Sequence, residues 1–205
     1  MYQEFILFII IIIIILQNVN TNTKYTKANN GIEYLVQISP DSINKANMLA
    51  VLDNRVNDFV KYVGDNKLPT KIISKRFINR MKSVKLKETP YNESGAGYTI
   101  NKGDIYLCLV NKETQILNDV EDVMFVLMHE LAHTMSTSYG HGPEFKTNFD
   151  FIVKLCVKLK LWKSKDYSKK NVEICGVNVT NGNCDNGACS KDSLDYYFRE
   201  SLLSD

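Results

Sequence analysis

Residues 129–141 read HELAHTMSTSYGH, and all three histidines of this 205-residue chain fall inside them. His129 and His133 stand four apart. Around them Val120, Val123, Met124, Leu127, Leu131 and Met135 recur at helical spacing. Positions i and i+4 share one face of a helix, so two imidazoles are expected to converge on one point. The helix is expected to start near Asn118, where Asn118 and Glu121 approximate a capping box. It is expected to run to about Ser138 and to stop before Gly140 and Pro143. His141 lies beyond that end. Gly140 lets the chain turn sharply there, which would bring a third imidazole back toward the first two.

Neutral imidazole suits zinc, with bonds of about 2.0–2.1 Å in tetrahedral geometry. Structural zinc sites usually fill four positions with Cys and His, and no cysteine lies close by in the sequence. The expectation is therefore one Zn2+ per chain, held by His129, His133 and His141 with one position open. Glu130 sits about 100° further round the helix. From there a carboxylate reaches solvent at the metal without being a ligand, the H-E-x-x-H arrangement. Glu130 is the candidate general base. Glu144 is a candidate for orienting a ligand imidazole from behind. Tyr139 and Tyr167 are candidates for stabilising an oxyanion.

Outward from this stretch, INKGDIYLCLV (100–110) belongs to a strand, a turn at 101–103 and a second strand starting near 104. The second strand is the candidate edge for an extended substrate. Pro143 opens a further helix, with Phe145, Phe149, Ile152, Val153, Cys156 and Leu159 on its apolar face. Upstream, GIEYLVQI (31–38) reads as a strand. Ile43 to Val63 reads as an amphipathic helix that ends near Gly64. Residues 67–87 are basic, SVKLKET (83–89) alternates like a half-buried strand, and VEICGVNV (172–179) is a further strand candidate. A final helix is expected over 193–203.

The segment FVLMHELAH (125–133), followed by GHGPEF (140–145), resembles the SprT-like zincin metallopeptidases and the related WLM (Wss1p-like) peptidases. In that group the third ligand sits in a His-Gly-Pro-x-Phe segment that opens the next helix, and a strand like 100–110 precedes the active-site helix. The resemblance covers roughly residues 97–160 well and 41–96 loosely. It implies an α+β, zincin-like fold: a small, mostly antiparallel sheet packed on the active-site helix and flanking helices. It also implies zinc-dependent hydrolysis of a polypeptide substrate. The metzincin spacing H-E-x-x-H-x-x-G-x-x-H is shorter than the one here, so the chain is not read as a metzincin. Cys175, Cys184 and Cys189 lack paired C-x-x-C spacing, so no second zinc is expected. Two rival functions follow from the same residues. One is a catalytically silent zinc-binding membrane adaptor. The other, implied by the resemblance, is an SprT-like protease acting on nucleic-acid-bound proteins, for which the basic run at 67–87 is the only support among the residues.

Lys and Arg total 25 against 23 Asp and Glu, a balance that does not mark the whole chain as a nucleic-acid binder. Five cysteines, with Cys108 and Cys156 in apolar runs, argue against a full disulfide framework and for a mostly reducing environment. A Cys184–Cys189 bridge is the alternative for an oxidising lumen. Residues 5–16, FILFIIIIIIIL, are apolar without a break. They would span about 18 Å as a helix against a hydrocarbon core of about 30 Å. Extended over 1–19, they are expected to form an apolar helix that anchors the chain in a membrane by a single pass. Lys24 and Lys27 follow the run, which would leave the domain cytoplasmic. A cleaved signal, with a secreted or lumenal product, is the alternative. The expected organisation is anchor 1–19, polar linker 20–30, catalytic domain 31–165 and C-terminal extension 166–205.

Overall fold

The computed structural model describes residues 22–165, 167 and 172–179. In chain order its elements are β1 (Thr23–Lys27), β2 (Glu33–Gln37), α1 (Ser42–Asn66), α2 (Lys71–Met81), β3 (Leu86–Glu88), β4 (Gly97–Thr99), β5 (Ile105–Leu107), α3 (Val120–Met135), α4 (Pro143–Lys158), β6 (Val172–Ile174) and β7 (Val177–Val179). The α+β class expected from the sequence is what forms.

α3 is the centre. Every residue from Asp122 to Ala132 is buried, so the helix is covered on all sides rather than along one stripe. α4, α2, β4 and β5 pack around it. Its start differs from the expected one. Asp119, not Asn118, is the N-cap, and its side chain accepts from the Glu121 N–H at 2.8 Å. Asn118 instead donates to the Cys108 carbonyl at 3.2 Å. The helix also stops at Met135, three residues short of Ser138.

α1 buries Leu49, Leu52, Val56, Phe59 and Val63 along one face and continues past Gly64 to a left-handed Lys67 (φ 54°). α2 falls within the basic run, where no helix was expected. Thr70 caps it by accepting from the Ile73 N–H at 3.3 Å, and Ser74 and Phe77 form its buried face. Phe77 meets Phe59 of α1 edge to face at 6.0 Å. Residues 23–27, placed in the expected linker, form β1 and pair antiparallel with β2.

The three-stranded sheet runs β3-β5-β4 and is mixed, which corrects the expected mostly antiparallel arrangement. β5 pairs parallel with β3 and antiparallel with β4. The parallel pair arises because β3 reaches β5 only through the crossover that carries β4. A buried ion pair joins α1 to this sheet: Lys45 Nζ lies 3.0 Å from Glu88 Oε1, with side chains 2% and 0% exposed. The Gln37 N–H donates to the other Glu88 oxygen at 2.6 Å, bringing β2 into the same knot.

Cys108 and Cys175 are disulfide-bonded, with Cα atoms 6.4 Å apart, and Cys156 is a buried free thiol. The bond links the β6–β7 hairpin to the end of β5, a pairing the sequence spacing did not suggest. Cys184, Cys189 and the expected final helix over 193–203 lie outside the described residues.

The membrane localisation requires correction. Among the described residues no helix is long and apolar enough to cross a membrane. The longest helix, α1, is amphipathic, with Asn54, Asn57, Asp58 and Lys61 exposed on one side. The apolar segment at 5–16, on which the single-pass anchor, its apolar helix and the cytoplasmic placement rested, lies outside the described residues.

Candidate metal centre

α3 carries His129 and His133 on its last two turns. The chain then leaves the helix at Ser136, turns at Gly140 (φ +72°) and enters α4 at Pro143, with Gly142 as N-cap. This return path places His141 over the first two histidines. His133 Nε2 is 3.2 Å from His129 Nε2, and His141 Nε2 is 3.0 Å from the same atom. The three ligand nitrogens lie within 4.8 Å of one another, and the group could hold a metal ion. His129 is buried, His133 half-buried and His141 exposed, so the cluster opens to solvent on one side.

Electrostatics favour ligation. Burial, and then the neighbouring His141 and Lys102, push His133 down to about 4. Burial also drives His129 well below its ordinary value, helped by the two other histidines. His141 is lowered by burial and by Lys146. Imidazoles held neutral in this way keep their lone pairs for a cation.

Phe145 forms the floor. Its ring centroid lies 4.7 Å from that of His129, 4.4 Å from that of His133 and 4.7 Å from that of His141. The sequence marks Phe145 as an apolar position of α4 and as the last residue of the His-Gly-Pro-x-Phe segment, with no role at the histidines assigned.

Glu130 is 4% exposed, and burial raises its carboxyl to about 7, against a lowering hydrogen bond from Thr99. That bond runs from the Thr99 hydroxyl to Glu130 Oε2 at 2.7 Å. Thr99, at the end of β4, was not among the candidates.

The loop bearing His141 is fastened by cations from distant segments. Arg80 Nη1 donates to the carbonyls of Thr134 (2.7 Å) and Ser136 (2.6 Å). Lys102 Nζ donates to those of His133, Ser136 and Ser138 at 2.8–3.1 Å. Arg76 donates to the Met135 carbonyl at 3.0 Å. These positive groups meet the carbonyl end of α3, where the helix dipole is negative. Arg76 and Arg80, the half-buried arginines of the basic run, are thus engaged by the loop. Lys67, Lys71, Lys75, Lys82 and Lys85 remain exposed.

Glu144 does not touch an imidazole, contrary to its expected role. Its carboxylate accepts from the N–H and hydroxyl groups of Thr137 and Ser138 at 2.7–2.9 Å and pairs with Arg76 at 3.4 Å. Burial alone would raise its carboxyl, but the Ser138 and Thr137 donors outweigh this and hold it down to about 2. A carboxyl depressed below its unfolded value of 4.5 stabilises the fold above that pH, and its contribution disappears as the pH falls through 2. The amides of Thr137 and Ser138 are therefore expected to exchange slowly above pH 4.5 and to lose protection from there toward pH 2. Glu144→Ala is expected to leave both amides unprotected at neutral pH. Hydrogen exchange followed by NMR reads both effects, and unchanged protection in the variant would refute them.

Of the two tyrosines considered, Tyr167 is remote from the centre. It is buried against the first turn of α3, donating to Asp122 at 2.9 Å. Tyr139 is 82% exposed, its ring 4.9 Å from the Lys102 ammonium.

No family model matches the chain. The crystal structure of Wss1 from Saccharomyces cerevisiae is similar at 23% identity over 44% of this chain and 75% of that one. Its TM-score of 0.35 is too low to carry weight. Three viral proteins are similar in sequence. Uncharacterized protein 136R of Invertebrate iridescent virus 6 is 32% identical over 95 residues, 45% of this chain and 51% of that protein. Uncharacterized protein 042R of Invertebrate iridescent virus 3 is 38% identical over 55 residues, 27% of this chain and 35% of that protein. Uncharacterized protein R325 of Acanthamoeba polyphaga mimivirus is 32% identical over 148 residues, 70% of this chain and 75% of that protein. Identity sustained over that share of both chains reflects common descent, and the chain belongs to the family of this mimivirus protein.

Proposed function

We propose that the chain is a zinc-dependent metallopeptidase of the His-Glu-x-x-His type, with His129, His133 and His141 as ligands and Glu130 as general base. The observation that carries this reading is the convergence of three imidazoles beside a buried carboxylate. The donor set fits zinc. A tetrahedral ion with bonds of about 2.0–2.1 Å separates its ligand atoms by about 3.3 Å, close to the 3.0 and 3.2 Å between the Nε2 atoms. Three nitrogen donors with solvent on one side match catalytic rather than structural zinc.

When bound, zinc supplies a Lewis acid that polarises the scissile carbonyl and acidifies water beside it. The residues do the rest. Glu130 takes the proton of the attacking water on a carboxylate oxygen and hands it to the leaving amine. Phe145 keeps the imidazoles in register and dry from below. The Arg80 and Lys102 bonds hold the loop that presents His141.

An extended substrate needs a free strand edge. Residues 104–110 were expected to supply it, but β5 has a partner on each side. The role passes to β4, which has no partner on its far side among the described residues. The Ala96 carbonyl and the Ile100 N–H are used toward the β5 side. By alternation, the backbone groups of Gly97 and Thr99 face outward.

The test uses the full chain. Metal analysis is expected to find one zinc per chain, with cleavage of unfolded casein stopped by 1,10-phenanthroline and restored by added zinc. Stoichiometric zinc without cleavage of any unfolded protein would refute the peptidase reading.

A further inference from the structure

β4 approaches α3 more closely than a strand with ordinary side chains can. A Cβ on Gly97 would stand 2.7 Å from Val126 Cγ1 and 3.0 Å from the Tyr106 carbonyl oxygen. Glycine is required there by space, not by backbone conformation. Side chains two apart on a strand share a face, so Thr99 points toward α3 as position 97 does. Its hydroxyl thereby spans 31 residues of sequence to reach Glu130 Oε2.

We propose that Thr99 is a positioning residue for Glu130, fixing one carboxylate oxygen so that the other is left, in a single orientation, to handle the proton. This rests on the peptidase reading above. A glutamate side chain has several rotamers, and a buried one without an anchor still rotates its carboxylate. Thr99 removes that freedom before substrate arrives. It also sits on the strand whose outer edge has no partner among the described residues. Its backbone faces the place of a bound peptide while its hydroxyl faces the base, so one residue links the seating of the substrate to the aiming of the carboxylate. Gly97 supports the arrangement by allowing the close approach.

The experiment compares Thr99→Val, Thr99→Ser and the wild type as full-length, zinc-loaded proteins of equal zinc content and matched thermal midpoint. Misplacing a reacting group by about 1 Å costs on the order of 100-fold. Thr99→Val is therefore expected to lower kcat by about 10- to 100-fold, with KM within about twofold, because binding of the peptide backbone is untouched. Thr99→Ser keeps the hydroxyl and is expected to stay within about threefold of wild type. A second readout needs no turnover. Acetohydroxamic acid donates a hydrogen bond to a carboxylate beside the metal, so Thr99→Val is expected to weaken its binding by about fivefold or more and Thr99→Ser to leave it unchanged. Equal kcat and equal hydroxamate affinity in Thr99→Val would overturn the proposal, as would a Ser variant as impaired as Val. If the wild type bound zinc and cleaved nothing, the peptidase reading would fall alone, and the hydroxamate series would still decide whether Thr99 holds Glu130.

Discussion

Glu130→Gln is expected to keep its zinc and lose its activity. The amide has the size and shape of the carboxyl, can still meet the Thr99 hydroxyl, and leaves the three imidazoles where they are. What it cannot do is accept a proton. General-base contributions run to about 100- to 10,000-fold, and among the described residues no second carboxylate joins the histidine group. Glu144, the other acidic residue of the region, is occupied by the Thr137 and Ser138 donors. The expected result is a fall in kcat of at least about 100-fold with KM and zinc content near wild type. Peptide cleavage assays with metal analysis on the same preparation measure both. Activity within tenfold of wild type would remove Glu130 from the mechanism. The charge state of Glu130 adds a condition. Burial raises its carboxyl to about 7 in the absence of a cation, so whatever positive charge sits among the histidines helps to ionise it.

The second large effect concerns folding. Lys45→Met is expected to destabilise the protein by about 3–5 kcal/mol, the usual result of stripping one partner from a buried ion pair. Lys45 and Glu88 are almost completely enclosed. Burial pushes the Glu88 carboxyl up, and the Gln37 N–H and Lys45 resist that push. Without the ammonium, Glu88 must be protonated or stay charged in an apolar setting, and either outcome weakens the join between α1, β2 and β3. The double variant Lys45→Met, Glu88→Leu removes both charges and is expected to regain much of the loss, because buried pairs contribute little beyond their own desolvation. Urea unfolding of the two variants measures this. A single variant within about 1 kcal/mol of wild type, or a double variant no better than the single, would contradict it.

What the sequence made legible was the local part of the site. His129 and His133 follow from helical periodicity, and the turn to His141 from a glycine and a proline. The residues that hold the triad and its neighbours in place were hidden, because their partners are far along the chain. Thr99 is 31 residues from Glu130, Arg80 is 54 from Thr134, and Lys102 is 36 from Ser138. No periodicity encodes such pairings. α2 was missed because its lysines dominate the eye, while only Ser74 and Phe77 are fully buried. β1 was missed because TKYTK, an exposed two-stranded edge, has no apolar alternation to display. The disulfide escaped because Cys108 and Cys175 are 67 residues apart.

The fastening of residues 134–138 by Arg76, Arg80 and Lys102 has a consequence for how the proposed zinc would be loaded. Zinc-finger domains gather their ligands only as the metal arrives, so folding and loading are one event. Here the segment leading to His141 is tied down by hydrogen bonds between protein groups alone. On the proposed reading, zinc would then be a late addition with little ordering entropy left to lose, and its supply would govern activity without governing survival of the fold.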